Sequence, residues 1–133
     1  MSAALENLNA ALATAFAGRP KVGGFPYLAE TLRRAGVNRN LWSLPSCQSI
    51  YLTGKGAVVM QGTPLLTGSA DIPDFNREAL VAALRADQTG KTAFPEFLAA
   101  IWKAGCVRYE VDFNARTVTY CGCQGENYVE AYL

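Results

Sequence analysis

The chain has 133 residues, half of them hydrophobic and 17% charged, a balance that fits a packed core and excludes a disordered chain. Twelve Lys and Arg against 11 Asp and Glu leave a net charge of +1, which excludes whole-chain attraction to nucleic acid or acidic lipid. Histidine is absent, and with it Ser-His-Asp and Cys-His catalysis and every histidine-containing metal site.

Residues 3–17 read as an amphipathic helix, because Leu5, Leu8, Leu12 and Phe16 recur at helical spacing. No basic start followed by an apolar run marks a secretory leader, and no apolar stretch approaches ~20 residues, so the expected compartment is the cytoplasm and no membrane partner is expected. Pro26 opens a second helix with Leu28, Leu32 and Ala35 inward, and Gly36 ends it. Strands are expected at 39–44, 47–53 and 57–61, followed by a loop from Gly62 to Pro73. Asp74 is the expected cap of a third helix over 75–87, with Leu80, Val81 and Leu84 inward. Thr92 is the expected cap of a fourth, whose face is Phe94, Phe97, Leu98 and Ile101 and whose end is Gly105.

The last third is β. Val107, Tyr109, Val111 and Phe113 alternate with Arg108, Glu110 and Asp112, and Val118 and Tyr120 alternate with Thr117 and Thr119. A turn at Asn114-Ala115 pairs Val111 with Val118 and Tyr109 with Tyr120, the one register that puts both apolar faces together. Residues 126–132 supply a final strand.

A repeat runs through the chain. Phe25-Pro26, Leu28, Leu32 and Ala35-Gly36 match Phe94-Pro95, Phe97, Ile101 and Ala104-Gly105 at a constant offset of 69 residues. The same offset lays Arg39 on Arg108, Tyr51 on Tyr120 and Gly56 on Gly125. The expected fold is α+β: one domain with an antiparallel sheet of five or six strands and four helices. It would be built from duplicated halves, residues 1–63 and 74–133.

Several constellations bear on chemistry. Gly90-Lys91-Thr92 ends like a phosphate loop, but Arg85 stands where the motif needs glycine, and the segment joins two helices. Cys121 and Cys123, with Cys47 and Cys106 elsewhere, lack the second paired element of a zinc site; thiols packed in or near the core are expected, with no metal and no cofactor. Arg108, Glu110 and Asp112 share one strand face, with Glu126 and Glu130 as possible neighbours. Paired carboxylates can do acid–base work, although a solvated sheet face has the same composition. Asp87 and Gln88 fall where a helix-connecting loop is expected, a common place for ligand contacts. Arg33, Arg34 and Arg39 form the one basic cluster, a weak candidate for nucleic acid. Trp42 and Trp102 suit either core or a partner surface.

Phe25-Pro26-Tyr27-Leu28-Ala29-Glu30-Thr31-Leu32, Tyr51-Leu52-Thr53, Arg85-Ala86-Asp87-Gln88-x-Gly90, Phe94-Pro95-Glu96-Phe97-Leu98, Tyr109-x-Val111-Asp112-Phe113 and Gly125-Glu126-x-Tyr128-x-Glu130 together resemble the YdfO/YbcV-like family of bacterial, prophage-associated proteins of unknown function. Some members carry the label phage envelope protein, which suits poorly a chain with no expected membrane segment. The resemblance implies a small stand-alone α+β protein linked to mobile elements and supplies no catalytic residues. The leading functional expectation is a non-enzymatic accessory or regulatory protein that binds a protein partner or small ligand. The alternatives are a small-molecule binder or enzyme using Asp87, Gln88, Arg108, Glu110, Asp112 and Glu126, and weak nucleic-acid binding. An unpaired edge strand leaves homodimerisation open.

Overall fold

The computed structural model describes residues 2–132. Its elements are α1 (Ala3–Gly18), α2 (Gly24–Arg34), β1 (Val37–Ser43), β2 (Gln48–Thr53), β3 (Gly56–Gln61), α3 (Arg77–Gln88), α4 (Phe94–Lys103), β4 (Arg108–Asp112), β5 (Thr117–Cys121) and β6 (Asn127–Ala131). The six strands form one antiparallel sheet in the order β3-β2-β1-β4-β5-β6. The fold is α+β, as expected.

Local chemistry sets the helix ends. The Ser2 hydroxyl accepts the Leu5 N–H at 3.1 Å at the start of α1. Asn76, not Asp74, caps α3, its Oδ1 accepting the Ala79 N–H at 3.0 Å. Ala93, not Thr92, precedes α4; the Glu96 carboxylate accepts the Ala93 N–H at 3.1 Å, and the Thr92 hydroxyl is buried without a partner. Gly36 and Gly105 follow α2 and α4 at φ 93° and 88°, the left-handed stops that glycine supplies.

One sheet face is buried against the helices, with α1 packed on α2 and α3 on α4. Two rows cross it: Met60, Ser49, Trp42, Tyr109, Tyr120, Tyr128, and Val58, Tyr51, Asn40, Val111, Val118, Glu130. Leu8, Leu32, Leu80, Leu84, Phe97 and Ile101 close over them. The C-terminal hairpin has the expected register, Tyr109 opposite Tyr120 and Val111 opposite Val118. Asp112 Oδ1 holds its turn by accepting the Asn114 and Ala115 N–H groups at 3.1 and 3.0 Å.

Three side chains depart from expectation. Phe16 is 59% exposed, because α1 seats Ala4, Leu8, Ala11 and Ala15 instead. Small residues on the inner face bring that helix close and turn Phe16 outward. Val81 is only half-buried beside buried Leu80 and Leu84. Phe94 is 40% exposed and meets the Trp42 ring edge-on at 5.4 Å.

A shift of 69 residues carries much of this geometry onto itself. The register of β1 on β2 becomes that of β4 on β5, and the central pair Leu41–Glu110 maps onto itself. The bond from Leu44 N–H to the Val107 carbonyl (2.9 Å) maps onto that from Phe113 N–H to the Asn38 carbonyl (3.0 Å). Cys47 and Arg116, the two non-glycine residues with positive φ among those described, are equivalent positions at 55° and 57°. The β2–β3 register misses β5–β6 by one residue.

Candidate functional site

Alternation along the strands places Arg108, Glu110 and Asp112 on the sheet face opposite the helices. One row there reads Val59, Ile50, Leu41, Glu110, Thr119, Val129; the rows beside it hold Leu52, Arg39, Asp112, Thr117 and Gln48, Ser43, Arg108, Cys121. The β2–β1 side of the middle row is apolar and its β4–β5 side polar. Val59 and Val129 are 60% and 54% exposed at the two edges.

Arg39 sits between the two carboxylates, 2.5 Å from Glu110 and 3.7 Å from Asp112. Asp112 is also committed to its turn. Arg108, one residue pair further along, makes no ion pair among the described residues. Arg39 therefore bridges the two carboxylates and offsets one of their two charges, and the pair does not converge on an open space as an acid–base dyad would.

Beside Arg108 lies an open groove of about 700 Å³. Leu41, Ile50, Ser43, Gln48, Arg108 and Glu110 contribute from the strands, Trp42 and Trp102 from the sheet rim and α4, and Leu66, Ala70 and Ile72 from the connection between β3 and α3. That connection is a strap. It is tied at one end by Leu65 N–H to the Pro45 carbonyl (2.7 Å) and at the other by Asn76 N–H to the Ala104 carbonyl (2.8 Å). It crosses from the β3 edge of the sheet to the helix pair α3/α4. The volume falls in the range of small-ligand sites, and an apolar lining with a few polar groups is their usual character.

The remaining candidates lie elsewhere. Asp87 and Gln88 belong to the last turn of α3 rather than to a loop. Glu126 accepts the Gln124 N–H at 2.9 Å in the β5–β6 turn and lies near Phe75. Gln88 joins Arg85 and Tyr128 around Glu130, at 2.6, 2.7 and 2.8 Å. Glu130 thus belongs to the helix-covered side and not to the Glu110 cluster. Burial works against its charge, but the hydrogen bonds from Arg85, Gln88 and Tyr128 outweigh it and hold its carboxyl below the ordinary range. Burial pushes the Asp87 carboxyl up, with Arg19 pulling the other way.

This cluster gives a pH prediction. Because the folded Glu130 pKa lies below the unfolded value near 4.5, its contribution is present at neutral pH and is lost as pH falls below 4.5. Glu130→Gln should cost about 1–2 kcal/mol at pH 7, and the difference from wild type should shrink on acidification. Urea unfolding at pH 7 and below pH 4.5 reads it; an unchanged difference would contradict the assignment.

The other expectations resolve plainly. Arg33 and Arg34 lie 2.5 and 3.9 Å from Glu30, and Arg39 is held by Glu110, so the three arginines are all engaged by carboxylates. Cys47 and Cys106 are buried, Cys121 half-buried beside Arg108, and Cys123 exposed. Gly90-Lys91-Thr92 joins two helices, as expected. No helix among the described residues is long and apolar enough to cross a membrane. Two features escaped the sequence reading: the strap, and Arg39 as the partner of Glu110. The second had a signal, since the offset of 69 already laid Arg39 on Arg108.

A family model described as "Protein of unknown function (DUF1398)" matches residues 13–130. An uncharacterized protein of Mycobacterium tuberculosis and one of Mycobacterium bovis are each 56% identical over 132 residues, covering 99% of this chain and 80% of the relative.

Proposed function

The chain belongs to the DUF1398 family, and from that premise we propose that it is a non-enzymatic binding protein whose ligand site is the groove between the open sheet face and the strap. One observation carries this reading. The groove brings an arginine with no ion pair among the described residues together with apolar side chains from the strands and the strap, while the nearby carboxylates are already bridged by Arg39. Such a lining suits recognition. It does not bring two carboxylates together around one reacting atom.

The reading extends to origin and setting. The repeated element order and the shared registers support a duplication of one helix–helix–strand unit, with both copies folded into one domain. The motifs that resemble the YdfO/YbcV-like family support a cytoplasmic accessory role linked to mobile elements. Nucleic-acid binding is disfavoured by the carboxylates beside Arg33, Arg34 and Arg39.

A melting screen against a library of small metabolites tests the proposal. Ligands that fill the groove should raise the Tm of the wild type by several degrees at saturation. Leu66→Asp, at a half-buried position on the strap, should abolish those shifts. A screen with no hits, or hits untouched by Leu66→Asp, would sink the reading.

A further inference from the structure

Arg39 and Arg108 are equivalent under the 69-residue shift, yet their surroundings differ. On the neighbouring central strand Arg39 finds Asp112 opposite and Glu110 on the diagonal, and it takes both. Arg108 finds the residues equivalent to those two, Ser43 opposite and Leu41 on the diagonal. The symmetry is broken at the two positions that would supply its counter-charge. Among the described residues this leaves an exposed arginine without an anion, beside an apolar groove in which it is the one cation.

We infer that Arg108 anchors a small carboxylic acid with an apolar body, its carboxylate taking the place that Glu110 and Asp112 occupy at Arg39. The body lies along Leu41 and Ile50 and under Leu66 and Ile72 of the strap. A guanidinium fork matches a carboxylate in geometry and charge. With one cation in the groove, a monoanion is favoured over a phosphate dianion. Glu110, two residues along the same strand face, keeps its own charge against Arg39 and sets the limit at one carboxylate. This inference rests on the groove being the ligand site and adds the class of ligand.

Calorimetric titration with decanoate and its neutral analogue decanol tests it, using wild type, Arg108→Gln and Arg108→Lys. The wild type should prefer decanoate by about 10–100-fold, the range of a charge-assisted pair. In Arg108→Gln the preference should fall to near one with decanol affinity unchanged, and Arg108→Lys should retain part of it. Equal affinity of the wild type for both probes, no binding of either, or a preference that survives Arg108→Gln would overturn the inference. Loss of decanol binding together with decanoate in Arg108→Gln would do the same, since Arg108 would then shape the groove rather than hold the charge. These failures are distinct from failure of the groove as a site, because neutral hits abolished by Leu66→Asp would leave that broader reading intact.

Discussion

Replacing Gly105 by alanine should destabilise the fold by about 2–5 kcal/mol, while the same change at Gly36 should cost about 1–2 kcal/mol. The two glycines are equivalent positions. Both end a helix with positive φ, and both would strain an alanine by its handedness alone. They differ in what surrounds them. A Cβ at Gly36 would meet nothing within 4 Å, whereas at Gly105 it would fall 2.5 Å from the Asp74 carbonyl oxygen and from the Phe75 Cα. Those are backbone atoms at the landing of the strap, where Asn76 N–H bonds the Ala104 carbonyl. They cannot swing aside as a long side chain would, so the strap must shift. Denaturant unfolding of the two variants reads the difference. Equal losses would mean that the strap does not lie against Gly105.

Leu32→Ala and Ile101→Ala should each cost about 2–5 kcal/mol, the range for deleting a large aliphatic side chain from a closed core. Leu32 of α2 is 3% exposed and Ile101 of α4 fully buried, and they are equivalent in the two halves. Both belong to one continuous cluster that also takes in Val111 and Tyr120 from the sheet. Each variant should therefore lower the midpoint of a single unfolding transition with little change in its slope. Two separable transitions, each sensitive to one of the variants, would mean that the halves fold as separate units.

How much of this was legible in the sequence follows from periodicity. The C-terminal hairpin was readable to the residue, because a two-residue alternation on both strands admits one register that buries both faces. Helix ends marked by Gly36 and Gly105 were readable because a left-handed residue at that position calls for glycine. Caps were less legible: Asp74 and Asn76 offer the same chemistry two residues apart, and only the path of the strap decides between them. Phe16 stands outside the buried stripe because the alanines that let α1 sit close carry little periodic signal beside the large apolar residues. Of the candidate site residues, Arg108, Glu110 and Asp112 were joined by alternation along one strand. Asp87 and Gln88 joined them through an expected helix-connecting loop and Glu126 through its charge, and the fold puts all three elsewhere. The groove was not legible, since the strap has no periodicity and its walls come from segments far apart in the chain.

The protein has three isoleucines, Ile50, Ile72 and Ile101, and they report on the central claim separately. Ile50 lines the groove from the sheet and Ile72 from the strap, while Ile101 is sealed in the core beneath the helices. Selective δ1-methyl labelling gives one resonance for each. Titration with any ligand that raises the Tm should move the Ile50 and Ile72 methyls together and leave Ile101 in place. Movement of Ile101 with Ile50 and Ile72 unchanged would place the binding site on the helix side and contradict the account.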